Sequence, residues 1–289
     1  MIQRLCLIGV GLIGGSLARA LRHRGLVGEI IGIDADPSNL AIAKKQRLVD
    51  HVSPSIAAAA TGADWVVIAT PVGAMPTIFS ALRPSWRDDV VYTDTGSTKL
   101  DVIAALERIF GAVPANFVPG HPIAGAERSG AVAAHAGLFE NRRVILTPLT
   151  NTDPHILERV NALWEGIGAR VSRMEPRHHD EVLAATSHLP HVLAFVLTAM
   201  LGHKDEKQEI FQYAAGGFRD FTRIASSDPR MWLDICLANR QEIVPLIEQY
   251  REALRETAEL MIDGDADRLL ALFSDARAAR QRFLDHLEK

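Results

Sequence analysis

Near its start the chain reads Gly9-Val-Gly11-Leu-Ile-Gly14, directly between an apolar run and a stretch of helical periodicity. Few short motifs restrict a fold as much. In a strand–turn–helix unit the first glycine permits the tight turn. The second lets the backbone approach a pyrophosphate, and the third lets helix and strand pack closely. The amides of the opening helical turn, Leu12 and Ile13 among them, face that phosphate with the positive end of the helix dipole. A second apolar run, residues 29–34, ends in Asp34, twenty residues after Gly14. A carboxylate there accepts hydrogen bonds from both ribose hydroxyls and repels a 2′-phosphate. The expected cofactor is therefore NAD rather than NADP. Asp36 lies past the strand as a turn residue before Pro37.

Further strands are expected at residues 5–10, 65–70, 90–94 and 143–146, and helices at 12–23 and 38–45, the latter capped by Ser38. Continuous apolar strands alternating with helices imply a parallel sheet covered on both faces, the Rossmann-type doubly wound α/β class. Thr70 and Pro71 follow the strand that begins at Trp65. They fall where loops at the C-terminal ends of parallel strands line a cofactor crevice. The strand signal fades after about Met174. Beyond it, residues 181–200 (interrupted by Pro190), 235–261 and 267–287 read as long helices. The expected organisation is a dinucleotide-binding domain over residues 1–175 and an all-helical domain over 176–289.

Composition narrows the function. The 31 basic and 35 acidic residues give a net charge of -4, with no basic excess to bind nucleic acid. Cys6 and Cys236 supply neither a disulfide framework nor a zinc spacing. No leader pattern is read at the N-terminus, and no apolar run is expected to span a bilayer. The expectation is a cytoplasmic protein with no membrane partner.

Four other segments carry chemistry: residues 94–99 (Asp-Thr-Gly-Ser-Thr-Lys), residues 119–130 around Gly120-His121-Pro122, Ser187-His188-Leu-Pro-His191, and residues 216–232 from Gly-Gly-Phe-Arg to Met-Trp. Taken together they resemble the prephenate/arogenate (cyclohexadienyl) dehydrogenases over nearly the whole chain. The most specific stretches are Gly-His-Pro-Ile-Ala-Gly and Gly-Phe-Arg-Asp-Phe-Thr-Arg-Ile-Ala with Asp-Pro and Met-Trp following.

The resemblance implies NAD-dependent oxidative decarboxylation of prephenate, with arogenate as a further substrate, by a homodimer joined through the helical domain. It makes His121 the acceptor for the ring 4-hydroxyl and Ser97 its partner on that hydroxyl. Ser97 otherwise reads as a helix cap. Arg223 matches the arginine that binds a substrate carboxylate, and Glu127 an acid that organises or gates the pocket; a solvent-facing Glu127 paired with Arg128 or Arg142 stays open beside that role. Trp232 matches a pocket wall, His188 a structural hydrogen-bonding residue, and His191 a group facing the substrate side chain. A cationic His191 would suit the pyruvyl chain of prephenate better than the ammonium of arogenate. A histidine with the ordinary pKa of about 6.5 at position 121 would make activity fall in mild acid. A metal site at His178, His179, His188 and His191 is not expected, because further ligands of known spacing are missing. The competing readings are another Rossmann dehydrogenase, such as a β-hydroxyacid dehydrogenase, and a non-catalytic NAD-sensing protein.

Overall fold

The computed structural model describes all residues except Ala126–Arg128, Glu206–Gln208 and Glu288–Lys289, and the side chains of His286 and Leu287. Nine strands are described: β1 Ile2–Ile8, β2 Val27–Ile33, β3 His51–Val52, β4 Trp65–Ile68, β5 Val91–Asp94, β6 Phe117–Val118, β7 Gly120–Pro122, β8 Arg143–Leu146 and β9 Arg170–Arg173. The helices among them are α1 Leu12–His23, α2 Pro37–Lys45, α3 Ile56–Ala60, α4 Met75–Leu82, α5 Leu100–Phe110 and α6 Pro154–Gly166. After β9 every described element is helical: α7 Pro176–Leu183, α8 Leu189–Lys204, α9 Glu209–Gln212, α10 Gly216–Thr222, α11 Pro229–Ala238, α12 Arg240–Asp263 and α13 Ala266–Leu287.

The first six strands form one sheet in the order β3-β2-β1-β4-β5-β6, and every registered pair in it is parallel. Reversal of the strand order beside β1 opens the crevice used by doubly wound sheets, at the C-terminal strand ends. The period-two alternation of β1 explains why residues 5–8 are apolar throughout. Leu5 and Leu7 join one buried cluster with Leu17, Leu21 and Trp164. Cys6 and Ile8 join another with Phe79, Val102 and Phe117. Both faces are thus covered, as the class requires. Burial pushes the Cys6 thiol up to about 12, which leaves it unreactive.

A smaller sheet, β7-β8-β9, pairs β7 antiparallel to β8 and β8 parallel to β9. Strands β3, β6, β7 and β9 were not expected from the sequence. They have two to four residues, too few for periodicity to mark. The cap of α2 also differs from expectation. Asp36, not Ser38, is the N-cap, its carboxylate accepting the Ser38 amide at 2.8 Å.

The apolar stretch around Pro190 begins one helix earlier than expected. Residues 184–188 form a π-helical turn between α7 and α8, and Pro190 sits in the first turn of α8. The proline lacks the amide that a continuous helix would use, so the backbone resets just before it. By length and composition Pro176–Lys204 is apolar enough to cross a membrane, contrary to the sequence expectation. It also carries His179, Asp180 and His188, all buried and hydrogen-bonded within the protein. The helix expected over residues 235–261 is broken at Asn239 into α11 and α12.

The chain divides into two compact units, Met1–Arg240 and Gln241–Lys289. The second unit holds nearly all of α12 and the whole of α13. Gly264, at a left-handed φ of 67°, ends α12, and the Asp265 amide reaches back to the Leu260 carbonyl at 3.0 Å. Within this unit Leu254, Met261, Ile262, Leu270 and Phe273 are exposed.

Candidate active site

Gly9 has φ +89°, and a Cβ there would overlap the Ala69 carbonyl at the end of β4. A Cβ on Gly14 would overlap the Gly9 carbonyl, so α1 approaches the turn too closely for any side chain. At Gly11 the reverse holds: nothing lies within 4 Å of an added Cβ. The helix α1 opens at Gly11 with no side-chain cap and no acidic residue in its first turn. An open cradle before uncapped amides fits the pyrophosphate of a dinucleotide.

Asp34 follows β2 directly. Its carboxylate accepts the amides of Val10 (2.9 Å) and Asp36 (2.9 Å) and the side-chain amide of Asn39 (2.8 Å). These bonds tie the acid to the glycine turn at the mouth of the crevice. Thr70 lies across from Gly9, and its buried hydroxyl has no partner within the protein. Pro71 starts the short 3-10 turn Val72–Ala74. The glycine turn, Asp34 and Thr70-Pro71 therefore stand together at the C-terminal ends of β1, β2 and β4.

The next strand end carries a different chemistry. Asp94, last residue of β5, and Lys99 form an ion pair of 2.5 Å with both side chains wholly buried. Such a pair is costly unless its other valences are met. Here they are. Asp94 also accepts the amides of Gly96 and Gly120, and Lys99 also donates to the Gly120 carbonyl at 2.7 Å. The pair binds the loop carrying Ser97 to the strand carrying His121. Ser97 itself is partly buried in that loop. It is not the cap of α5, as one reading of the sequence had it. The Lys99 and Leu100 amides are instead accepted by Asp180 of α7.

His121 is held in β7 opposite Ile145. Its Nδ1 lies 2.9 Å from Nε2 of His179, whose Nδ1 lies 2.8 Å from Oδ1 of Asp180. The His121 ring is pushed well below the usual histidine range, first by burial and then by His179, Lys99 and His188. The expectation of an ordinary pKa near 6.5 is thereby corrected. Removal from water penalises the charged ring, and none of the described acids offsets it.

His188 is buried, its Nδ1 accepting the Asn239 side-chain amide at 3.0 Å. The same amide donates to the Asp180 carbonyl at 2.9 Å. Burial lowers His188 to about 4, so it is neutral at ordinary pH. His191 donates from Nδ1 to the Ser187 carbonyl at 2.8 Å and stacks on Trp232, centroids 3.7 Å apart. Its pKa is lowered by burial, and the Arg223 charge adds to this against the carbonyl contact. A cationic His191 is thus corrected to a neutral ring with Nε2 left as an acceptor. The cation of this cluster is Arg223, exposed in a 3-10 turn after α10.

His121, His188, His191, Trp232 and Arg223 thus form one continuous neighbourhood. Glu127 lies outside the described residues. Among the described residues no group of three or more His, Cys, Asp or Glu side chains is arranged to hold a metal ion.

Sequence reasoning missed His179, Asp180 and the buried roles of Asp94 and Lys99. A signal was present for the first two. With Pro176 and Leu183 they occupy the buried face of α7 at helical spacing. Polar residues on an apolar face point to a satisfied buried network.

Residues 17–173 match the family described as "Prephenate dehydrogenase, nucleotide-binding domain", and residues 175–275 "Prephenate dehydrogenase, dimerization domain". The cyclohexadienyl dehydrogenase of Zymomonas mobilis is 37% identical, the match covering 97% of this chain and 96% of that protein. The prephenate dehydrogenase of Bacillus subtilis is 36% identical over 97% of this chain and 76% of that protein. Among solved structures, prephenate dehydrogenase from A. aeolicus in complex with hydroxyphenyl propionate and NAD+ superposes with a TM-score of 0.91. It is 36% identical, and the match covers 98% of this chain and 99% of that one.

Proposed function

The chain belongs to the prephenate dehydrogenase family, and from that premise we propose that it oxidises prephenate with NAD, releasing carbon dioxide and 4-hydroxyphenylpyruvate. The observation that carries the reading is the joining of two sites by one ion pair. Asp94 and Lys99 fix the His121 strand beside the strand ends that form the dinucleotide cradle.

The glycine turn, the Leu12 and Ile13 amides, Asp34 and Thr70-Pro71 would hold the dinucleotide. Asp34 favours a free ribose over a 2′-phosphate. When bound, the nicotinamide serves as hydride acceptor for C4 of the substrate ring. The protein's own residues do the rest. Neutral His121 takes the proton of the 4-hydroxyl as the C4–H pair leaves. The electron pair of the ring–carboxylate bond moves into the ring, which becomes aromatic as carbon dioxide departs. Ser97 shares the hydroxyl, and returning the proton to the oxygen completes the phenol. Arg223 holds a substrate carboxylate, and Trp232 with His191 forms the wall beside the side chain.

A neutral His191 with a free Nε2 can accept from an ammonium, which removes the basis for rejecting arogenate. We read arogenate as a second substrate. Steady-state kinetics on prephenate and arogenate in parallel test this. Turnover of both is expected, and turnover of arogenate alone would overturn the prephenate assignment.

The exposed apolar side chains of α12 and α13 and the match of residues 175–275 to a dimerization domain support a homodimer. A stable monomer at micromolar concentration in sedimentation would contradict it. A reducing, cytoplasmic setting accords with the free cysteines.

A further inference from the structure

Asp180 sits on α7 but serves α5. Its carboxylate receives the Lys99 amide at 2.9 Å and the Leu100 amide at 2.9 Å, at the otherwise uncapped start of that helix. Backbone amides only donate, so this carboxylate acts purely as an acceptor, at the positive end of the α5 dipole. His179 Nδ1, 2.8 Å from the same carboxylate, must then carry a hydrogen. A neutral imidazole protonated at Nδ1 presents a lone pair at Nε2. His121 Nδ1 lies 2.9 Å from that lone pair and supplies the hydrogen between them. The lone pair of His121 is thereby sent to its other nitrogen, Nε2.

We propose that His179 and Asp180 are positioning residues that fix His121 as the Nδ1–H tautomer, with Nε2 as a hydrogen-bond acceptor. The consequence for catalysis rests on the reading of His121 as acceptor of the ring hydroxyl proton. The opposite tautomer would offer that hydroxyl a second donor and no base. The only way to reverse the pattern with Asp180 intact is an imidazolium at His179, donating from both nitrogens. Among the described residues, the other ionisable groups around the relay are the Lys99 ammonium, bound to Asp94 and the Gly120 carbonyl, His188, bound to Asn239, and Asp101, whose pKa burial and the Asp180 charge raise. Both rings of the relay are held from separate elements, His121 by β7 and His179 by α7. The tautomer is thus set by the packing of the helical segment on the sheet.

Nitrogen NMR on the full chain labelled at histidine reads the tautomer directly. The His121 signals are identified by their loss in His121→Asn. In the unaltered protein Nδ1 should show the shift of a protonated nitrogen and Nε2 that of a bare one. A proton found on Nε2 overturns the proposal. In Asp180→Asn the new amide nitrogen faces His179, because the carbonyl oxygen is required by the α5 amides. The hydrogen pattern then inverts along both rings. The His121 shifts should exchange, and turnover should fall about 10²–10⁴-fold, the usual weight of general acid–base catalysis, with KM little changed. Unchanged tautomer and turnover in a folded Asp180→Asn would overturn the proposal. If loss of the cap unfolds that variant, the spectrum of the unaltered protein still decides.

His179→Gln keeps a carbonyl able to accept the His121 Nδ1–H and should retain more turnover than His179→Leu. Equal losses in the two contradict the relay. The spectrum requires no substrate. A protein that oxidises no cyclohexadiene acid but shows the Nδ1–H ring would sink the functional reading and leave the relay standing.

Discussion

His121 Nδ1 lies 2.9 Å from His179 Nε2, and this contact with a second imidazole, rather than with a carboxylate, sets how the site responds to acid. A carboxylate would favour the charged His121. Here burial, together with His179, Lys99 and His188, lowers the pKa well below the usual value. The neutral ring is the active form, so protonation of His121 removes activity as pH falls through the lowered pKa. The kcat/KM of the protein should therefore hold through pH 6.5 and fall well below it. His121→Asn should lose about 10²–10⁴-fold in kcat and lose that acidic limb as well. A limb centred at or above pH 6.5 in the unaltered protein contradicts the burial argument. An unchanged limb in the variant contradicts the role of His121.

The three glycines of the turn should respond differently to alanine. At Gly9 and Gly14 an added methyl overlaps a backbone carbonyl, and Gly9 also has a positive φ. Overpacking of this kind costs about 1–3 kcal/mol, and the backbone conformation adds to it at Gly9. Gly11→Ala meets open space and should leave thermal unfolding nearly unchanged, while weakening NAD binding. Equal destabilisation by all three substitutions would mean that the space at Gly11 is not a ligand cradle.

Asp34 should set the cofactor preference. Its side chain is anchored by the Val10 and Asp36 amides and by Asn39, beside the glycine turn at the mouth of the crevice. Asp34→Ser combined with Ala35→Arg should relax the preference toward NADP by removing a repulsive charge and adding an attractive one. Comparison of kcat/KM with the two cofactors checks this. Equal efficiency of the unaltered protein with NAD and NADP rules the assignment out.

Much of this was legible in the sequence, and what was not has identifiable reasons. The glycine turn, Asp34 and the alternation of β1 are local signals, readable because each spacing has a single structural meaning. Gly11 is distinguished from Gly9 and Gly14 only in three dimensions. The relay was hidden because His179 and Asp180 are adjacent in sequence to His178, which is exposed and faces Glu181. By sequence, His178 and His179 stand with His188 and His191 only as a metal set that lacks further ligands. Read by helix face, His179 and Asp180 point inward and His178 outward. The cap of α5 was unreadable for a different reason: its acceptor comes from a residue eighty positions away. The ionisation of His191 depends on burial and on Arg223, neither of which spacing reveals.

Arg223 should act through binding. A carboxylate pair is present in ground and transition states alike, so its loss appears mainly in KM. Arg223→Ala should raise KM for prephenate by the equivalent of up to about 2–5 kcal/mol, the usual cost of truncating one partner of a buried charge pair, in so far as bound substrate covers the exposed guanidinium. Because the Arg223 charge also depresses His191, the variant should raise the His191 pKa, which NMR titration can follow. A KM that does not change, with only kcat lowered, contradicts this role.

Hydride transfer and loss of the ring carboxylate should be coupled in one site, with His121 receiving the hydroxyl proton. The most direct test mixes the purified protein with prephenate and NAD and records reduced nicotinamide and released carbon dioxide in the same sample. Equimolar formation of the two is expected, both slowed about 10²–10⁴-fold in His121→Asn. Reduced nicotinamide without carbon dioxide, or neither product from prephenate, would contradict it.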